Sequence, residues 1–147
     1  MISKSEWRRM LIQRRKIISE KRRKMAAQLL QERFEHLGNT LSFASFGTEI
    51  DTSPLNAALK KRGCLQIMPY RAEALANVRI DNLECILVPG LGFDRDRYRI
   101  GYGQGFYDRF LAQVGPIPTI GIGFHEQLCD LLPKDPWDLP VGELALF

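Results

Sequence analysis

At 147 residues, with 45% hydrophobic and 26% charged side chains and no low-complexity tract, the chain is sized for one domain over residues 1–147 that buries roughly 70% of its unfolded surface, which argues against disorder. No apolar run approaches the roughly 20 residues of a bilayer span, and the start, Met1-Ile-Ser-Lys-Ser-Glu-Trp-Arg-Arg, has no signal-peptide core, so a cytoplasmic protein with no membrane partner is expected. The formal charge of +4 is uneven: Lys4, Arg8, Arg9, Arg14, Arg15, Lys16, Lys21, Arg22, Arg23 and Lys24 face only Glu6 and Glu20, which is either a solvated helix face or a segment that meets an anion, nucleic acid among the candidates.

Periodicity predicts helix from residue 3 to about 37, broken near Ser19. Met25 and Leu29, then Ala26, Leu30, Phe34 and Leu37, recur at three- and four-residue spacing, and Gly38-Asn39 stops the run. Leu41-Ser-Phe-Ala-Ser-Phe46 is a short β-prone stretch. A loop, Gly47-Thr-Glu-Ile-Asp-Thr52, leads to a helix from about Ser53 to Arg62, with Ser53 as cap, Pro54 at the first position and Gly63 as its end. Cys64-Leu-Gln-Ile-Met68 and Glu84-Cys-Ile-Leu-Val88 read as strands, and residues 89–98 as a long loop. Gly101-Tyr-Gly-Gln-Gly105 runs straight into a helix from Phe106 to about Gln113. Residues 116–124 supply a further strand, His125 to Leu132 a helical turn or two, and Glu143-Leu-Ala-Leu-Phe147 a closing strand. This alternation predicts an α/β fold: a single three-layer domain, its mainly parallel sheet flanked by helices, with a helical N-terminus.

Cys64, Cys85 and Cys129 are odd in number and widely spaced within apolar stretches, which suggests buried, reduced thiols rather than disulfides or a metal pair. His36 and His125 are far apart and in no ligand motif, so no zinc site is expected. Ligands of open α/β sheets bind beyond the carboxyl ends of the strands, where residues 47–52, 89–108 and 123–127 converge. Alternate glycines let a backbone approach a ligand closely, and the following helix start offers free amides to a phosphate. The spacing GxGxG is neither the dinucleotide fingerprint nor a P-loop, so on glycines alone a tight structural turn competes evenly with a phosphate cradle. Arg99 before the loop and Tyr107-Asp108 after it favour the cradle, because a guanidinium clamps phosphate oxygens and a carboxylate holds Mg²⁺ or accepts a ligand hydrogen bond. Glu49 is either an acceptor for the amino groups of a heterocycle or an exposed loop carboxylate. Asp94, Arg95, Asp96 and Arg97 read as surface ion pairs, and Trp7 and Trp137 as packing residues. There is no GxSxG elbow and no Cys–His pair, so the protein offers no evident nucleophile; phosphoryl transfer by positioning fits better.

Leu87-Val-Pro-Gly-Leu-Gly-Phe-Asp94 followed by Arg99-Ile-Gly-Tyr-Gly-Gln-Gly-Phe-Tyr-Asp-Arg-Phe-Leu111 closely resembles the signature of the 5-formyltetrahydrofolate cyclo-ligases. Lys4-x-x-x-Arg8 looks like that family's amino-terminal nucleotide-binding pair. Residues 48–52, Met68-Pro-Tyr-Arg71, and Gly123-Phe-His-Glu-Gln127 with Leu132-Pro133 and Asp138 also match, so the resemblance touches nearly the whole chain. It implies ATP as co-substrate, Mg²⁺, and closure of 5-formyltetrahydrofolate to 5,10-methenyltetrahydrofolate with release of ADP and phosphate. It further implies that Lys4, Arg8 and Arg99 contact ATP phosphates, that Gly101, Gly103, Gln104, Gly105 and Phe106 form the cradle, and that Tyr107 lies near the nucleotide. Asp108 would assist Mg²⁺, Glu49 would hold the folate, and Tyr102 would line the shared site, making Arg99 and Tyr102 the catalytic candidates.

The chain departs from the pattern at Gln104 (often glycine or lysine), Phe106 (usually tyrosine), Trp137 (commonly histidine) and Gly142 (usually acidic). Only Ala72 to Asn82 stands where typical members carry a longer stretch with a strand and a proline-containing substrate loop, so the folate side is where this chain differs most. The leading expectation is an active, monomeric cyclo-ligase. The alternative is a catalytically degenerate member that binds nucleotide or folate. A basic nucleic-acid-binding helix is the third, disfavoured because no RNA-binding aromatic pattern or helix-turn-helix spacing accompanies the charge.

Overall fold

Two serines organise the first helices. In the computed structural model, which describes residues 2–147, Ser3 Oγ accepts the Glu6 amide and Ser19 Oγ the Arg22 amide, starting α1 (Lys4–Lys16) and α2 (Glu20–Phe34). The break near Ser19 is thus a helix cap. β1 (Thr40–Ser42) stops short of the predicted Phe46. Beyond Ser42 the backbone is tied to side chains instead of a neighbouring strand: Phe43 O accepts Thr52 Oγ1 at 2.7 Å and Asn56 Nδ2 at 3.0 Å. α3 (Ser53–Lys61) takes Thr52, not Ser53, as its cap residue. The Thr52 hydroxyl is spent on Phe43, so it caps nothing, and Asp51 Oδ1 accepts the Ser53 amide at 2.9 Å in its place.

β2 (Leu65–Ile67) is followed by a 3₁₀ turn, Ala72–Asn77, and by β3 (Cys85–Val88). The predicted loop of residues 89–98 contains a strand. β4 (Gly92–Asp94) pairs antiparallel with β5 (Arg99–Ile100) and parallel with β7 (Leu128–Cys129), forming a small second sheet. Asp94 pins that sheet and is fully buried: Oδ1 accepts the amides of Asp96 and Tyr98, each at 3.0 Å, while Oδ2 accepts Leu132 N at 3.1 Å and Lys134 Nζ at 2.7 Å. Asp94 is therefore no surface ion pair, as the sequence had suggested. Arg95 is, meeting Asp130 in the open at 3.1 Å, whereas Arg97 Nε donates to Val141 O.

α4 (Phe106–Val114), β6 (Thr119–Gly123), a single 3₁₀ turn at His125–Gln127 and β8 (Glu143–Leu146) complete the chain. The main sheet has the order β2-β1-β3-β6-β8 with every neighbouring pair parallel. Alternate β3 residues face opposite layers. Cys85 and Leu87 pack with Leu30 and Phe34 of α2 and Leu55 and Leu59 of α3, while Ile86 and Val88 pack with Tyr107, Phe110 and Val114 of α4. Leu11 of α1 closes a third cluster with Leu91, Ile100, Cys129 and Leu132 on the small sheet. Each fully buried Leu or Ile contributes about 1.5–3 kcal/mol through the apolar surface it removes from water. The three cysteines are free thiols, Cys85 and Cys129 buried but Cys64 only partly so. Among the described residues no helix is long and apolar enough to cross a membrane.

The path from β1 to β2 runs one way along the sheet, and the path from β2 to β3 crosses back over β1. Connections after β1 and β3 therefore diverge, opening a crevice at their carboxyl ends.

Candidate functional site

A cavity of about 880 Å³ occupies this crevice. The loop after β1 contributes Phe46 and Glu49, the chain after β2 Tyr70, and the chain after β3 Pro89 and Gly90; residues 99–109 form its largest wall. α1 adds Lys4 and Arg8 from one side, and Asp135, Trp137 and Asp138 close another.

At one end the glycine loop meets α4. Gly103 and Gly105 have φ of 101° and 65°, a region where a side chain is strained, which explains glycine at both. Arg8 Nε donates to Gly101 O at 2.8 Å and Arg109 Nη1 to Gln104 O at 2.7 Å, so arginines engage the loop's carbonyls. No side chain caps α4 at Gly105. Its first turn, which lines the cavity with Phe106, Tyr107 and Asp108, presents unpaired amides and a positive dipole end suited to an anion. Arg99 stands beside it with its side chain 8% exposed, Nε donating to Pro89 O at 2.8 Å and its guanidinium 5.2 Å from the centre of the Tyr107 ring. Burial lowers its pKa, and Asp108 is the principal group opposing that shift. The two are 3.9 Å apart, an electrostatic contact rather than a hydrogen bond.

Burial raises the Asp108 pKa, Arg99 works against the shift and Asp138 adds to it. Lys4 Nζ pairs with Asp135 at 2.6 Å and Asp138 at 2.9 Å. Desolvation depresses the Lys4 pKa, yet hydrogen bonds to those two carboxylates outweigh it and the net shift is upward.

At the other end Glu49 is 8% exposed, not an open loop carboxylate, and Oε1 accepts the Phe46 amide at 2.8 Å. Burial raises its pKa, while the Phe46 amide, Arg15 and Arg99 restrain the rise. Aromatic groups surround it. Phe46 and Tyr102 meet edge to face with centroids 6.3 Å apart, and Tyr70 donates its hydroxyl to Ala44 O at 3.0 Å. The Tyr70 pKa is pushed up to about 12, chiefly by burial. The buried Tyr107 hydroxyl has no partner among the described residues. An uncapped helix start flanked by arginines and an acceptor-lined aromatic end thus share one space.

The candidate catalytic, nucleotide, folate and metal residues named from the sequence all border this cavity: Lys4, Arg8, Glu49, Arg99, Gly101, Tyr102, Gly103, Gln104, Gly105, Phe106, Tyr107 and Asp108. Residues 123–127 do not. Gln127 instead supports the wall from behind, its Nε2 donating to Gly90 O at 2.7 Å and Leu91 O at 3.0 Å. Trp137, expected to pack, is 68% exposed on the rim, whereas Trp7 does join the α1 cluster. Sequence reasoning missed Tyr70, Arg109 and the Asp135–Asp138 segment as cavity residues, and it left Arg15 inside the basic run. Arg15 falls four residues after the buried Leu11, on the same helix face, which is the signal that identifies it.

A profile described as the 5-formyltetrahydrofolate cyclo-ligase family matches residues 71–146. The chain is 45% identical over 60 residues to the 5-formyltetrahydrofolate cyclo-ligase of Mycoplasma pneumoniae, covering 40% of this chain and 36% of that one. It is 40% identical over 80 residues to the mouse cyclo-ligase, covering 50% and 37%. The aligned stretches thus span little more than a third of these relatives. The fold is similar to the solved 5,10-methenyltetrahydrofolate synthetase of Mycoplasma pneumoniae, with a TM-score of 0.82 at 24% identity over 97% of this chain and 98% of that one.

Proposed function

The chain belongs to the 5-formyltetrahydrofolate cyclo-ligase family, and on that premise we propose that it is an enzyme that closes 5-formyltetrahydrofolate to 5,10-methenyltetrahydrofolate with ATP, releasing ADP and phosphate. The observation carrying this reading is the shared cavity, where an uncapped helix start flanked by Arg8 and Arg99 faces the same space as Glu49 and its aromatic neighbours. The formyl oxygen attacks the γ-phosphorus as the bond to the bridging oxygen of ADP breaks. N10 then attacks the formyl carbon, loses its proton, and phosphate departs with the former formyl oxygen. The substrate is its own nucleophile, so the protein's task is alignment and charge neutralisation.

In this scheme Lys4, Arg8 and Arg99 hold the phosphates, the Gly101–Gly105 backbone cradles them with Phe106 and Tyr107 alongside, and Arg99 offsets charge developing on the transferred group. Glu49 holds the pterin and Tyr102 sits between the two substrates. Among the described residues no group of three metal-ligating side chains exists. A half-buried carboxylate at Asp108 nevertheless fits Mg²⁺, which takes one or two carboxylates and fills its shell with water and substrate phosphate. Bound there, the ion would neutralise phosphate charge. The proposal includes a cytoplasmic monomer with no nucleic-acid or membrane partner.

The test is the absorbance of 5,10-methenyltetrahydrofolate formed by purified protein from 5-formyltetrahydrofolate, ATP and Mg²⁺, with ATP or Mg²⁺ omitted as controls. Between Arg71 and Leu83 the chain holds little beyond one 3₁₀ turn. Folded, ATP-binding protein that forms no product would therefore point to a nucleotide- or folate-binding module.

A further inference from the structure

Arg15 is 2% exposed, yet no carboxylate lies within ion-pair distance of it among the described residues. Burying a cation this way is costly unless its donors are used, and here they are spread over three loops. Nε donates to Thr48 Oγ1 at 3.1 Å, Nη1 to Gly90 O at 3.4 Å and Nη2 to the Tyr102 hydroxyl at 2.5 Å. Thr48 precedes Glu49, Gly90 follows the Pro89 carbonyl that holds Arg99, and Tyr102 sits inside the glycine loop. Arg23 of α2 locks the arrangement from outside, donating to Thr48 O at 3.0 Å and to Arg15 O.

The chemistry at Tyr102 is directional. A guanidinium only donates, so the phenol oxygen must accept from Arg15, and the phenol's own proton has to go elsewhere. Tyr102 is 45% exposed and lines the cavity, and the adjacent cation strengthens the phenol as a donor. Resting on the functional reading above, we propose that Arg15 is a positioning residue that fixes the Tyr102 hydroxyl as a hydrogen-bond donor to an oxygen of the bound substrate. Two substrate oxygens have this chemistry, the formyl oxygen of the folate and a phosphoryl oxygen of the nucleotide.

Arg15→Met, Tyr102→Phe and the double variant are compared with wild type by calorimetric titration with 5-formyltetrahydrofolate and, separately, with a non-hydrolysable β,γ-imido analogue of ATP. Thermal midpoints are followed in parallel. Tyr102→Phe should weaken binding of one ligand about tenfold, the scale of a hydrogen bond strengthened by charge. Loss confined to 5-formyltetrahydrofolate, with 5-methyltetrahydrofolate unaffected, identifies the formyl oxygen; loss confined to the ATP analogue identifies the phosphoryl oxygen. Arg15→Met should reproduce the same ligand-selective loss, and the double variant should bind no worse than Tyr102→Phe. Additive losses, or equal losses for both ligands, overturn the proposal, because Arg15 then only supports the fold. Should Arg15→Met not fold, Tyr102→Phe still decides: its half-exposed ring tolerates the change, and wild-type affinity for both ligands refutes the idea. Wild-type protein that binds neither ligand overturns the functional reading instead.

Discussion

A methyl group added at Gly101 tests whether the placement of Arg99 matters. The Cβ of Gly101→Ala would stand 2.5 Å from Arg99 Nη2 and 3.3 Å from its Cζ. Ordinary contact needs about 3.5 Å, so Nη2 must retreat by about 1 Å. It has little freedom to do so harmlessly, since Nε is held on Pro89 O and the guanidinium lies against Tyr107. A displacement of about 1 Å in a charge-neutralising group costs about 10²-fold in turnover, or about 2.7 kcal/mol of transition-state stabilisation. Stability should fall modestly. Gly101 is not among the residues of positive φ, so alanine suits its backbone and restricts the unfolded chain, a gain of about 0.4–1 kcal/mol that offsets part of the cost, about 1–3 kcal/mol, of pressing a methyl group against the held Arg99 side chain. The assay is kcat for methenyltetrahydrofolate formation at saturating ATP, beside the thermal midpoint. Turnover within twofold of wild type in a folded variant would remove Arg99 from the reacting phosphate.

Three further outcomes follow from the same geometry. Asp94→Asn should destabilise the protein by about 3 kcal/mol in urea denaturation, because Lys134 and three amides lose their ionised acceptor. Burial pushes the Asp94 pKa up, but Lys134 and the amides of Leu132 and Tyr98 bring it below the usual value. Its contribution is thus complete above the ordinary value of about 3.9 and is lost as pH falls through the lower folded one; an unchanged acid midpoint in the variant would contradict this. Glu49 has the opposite sign: its folded pKa is raised by burial, so 5-formyltetrahydrofolate affinity that depends on its ionised form should fade with decreasing pH at values above the ordinary 4.3 or so, and Glu49→Gln should abolish that limb in a pH series of KM. Trp137, exposed on the rim beside the carboxylates that hold Lys4, should report nucleotide by a change in fluorescence, and an identical response from Trp137→Phe would move the nucleotide away from that end.

The parallel sheet was legible because its strands are short apolar runs between well-marked helices, and the glycine loop because Arg99 before it and Tyr107-Asp108 after it favour a cradle over a plain turn. The small sheet was hidden. β4 and β5 are three and two residues long, and the stretch between them is so charged that it resembles a solvated loop. What buries Asp94 is the distant Lys134 and the Leu132 amide, which no local pattern announces. Arg15 was obscured for a related reason: in a run of cations the expectation is solvent, and only the packing of α1 against the small sheet turns one of them inward. Trp137 erred the other way, since a tryptophan usually finds burial and nothing in Pro136-Trp137-Asp138 says otherwise.

The contacts that join α1 to the cavity have a consequence for how the protein acquires its shape. Lys4 bonds Asp138 across 134 positions, Arg8 reaches Gly101 across 93, and Arg15 reaches Tyr102 across 87. Relative to a ten-residue turn, closing a loop of 134 residues costs about 2 kcal/mol more in chain entropy, so such contacts form after local β–α units have condensed. During refolding, helix and sheet signals should recover before the cavity can hold a ligand, and a ribosome-bound chain still lacking its last residues has a sheet under assembly but no complete pocket.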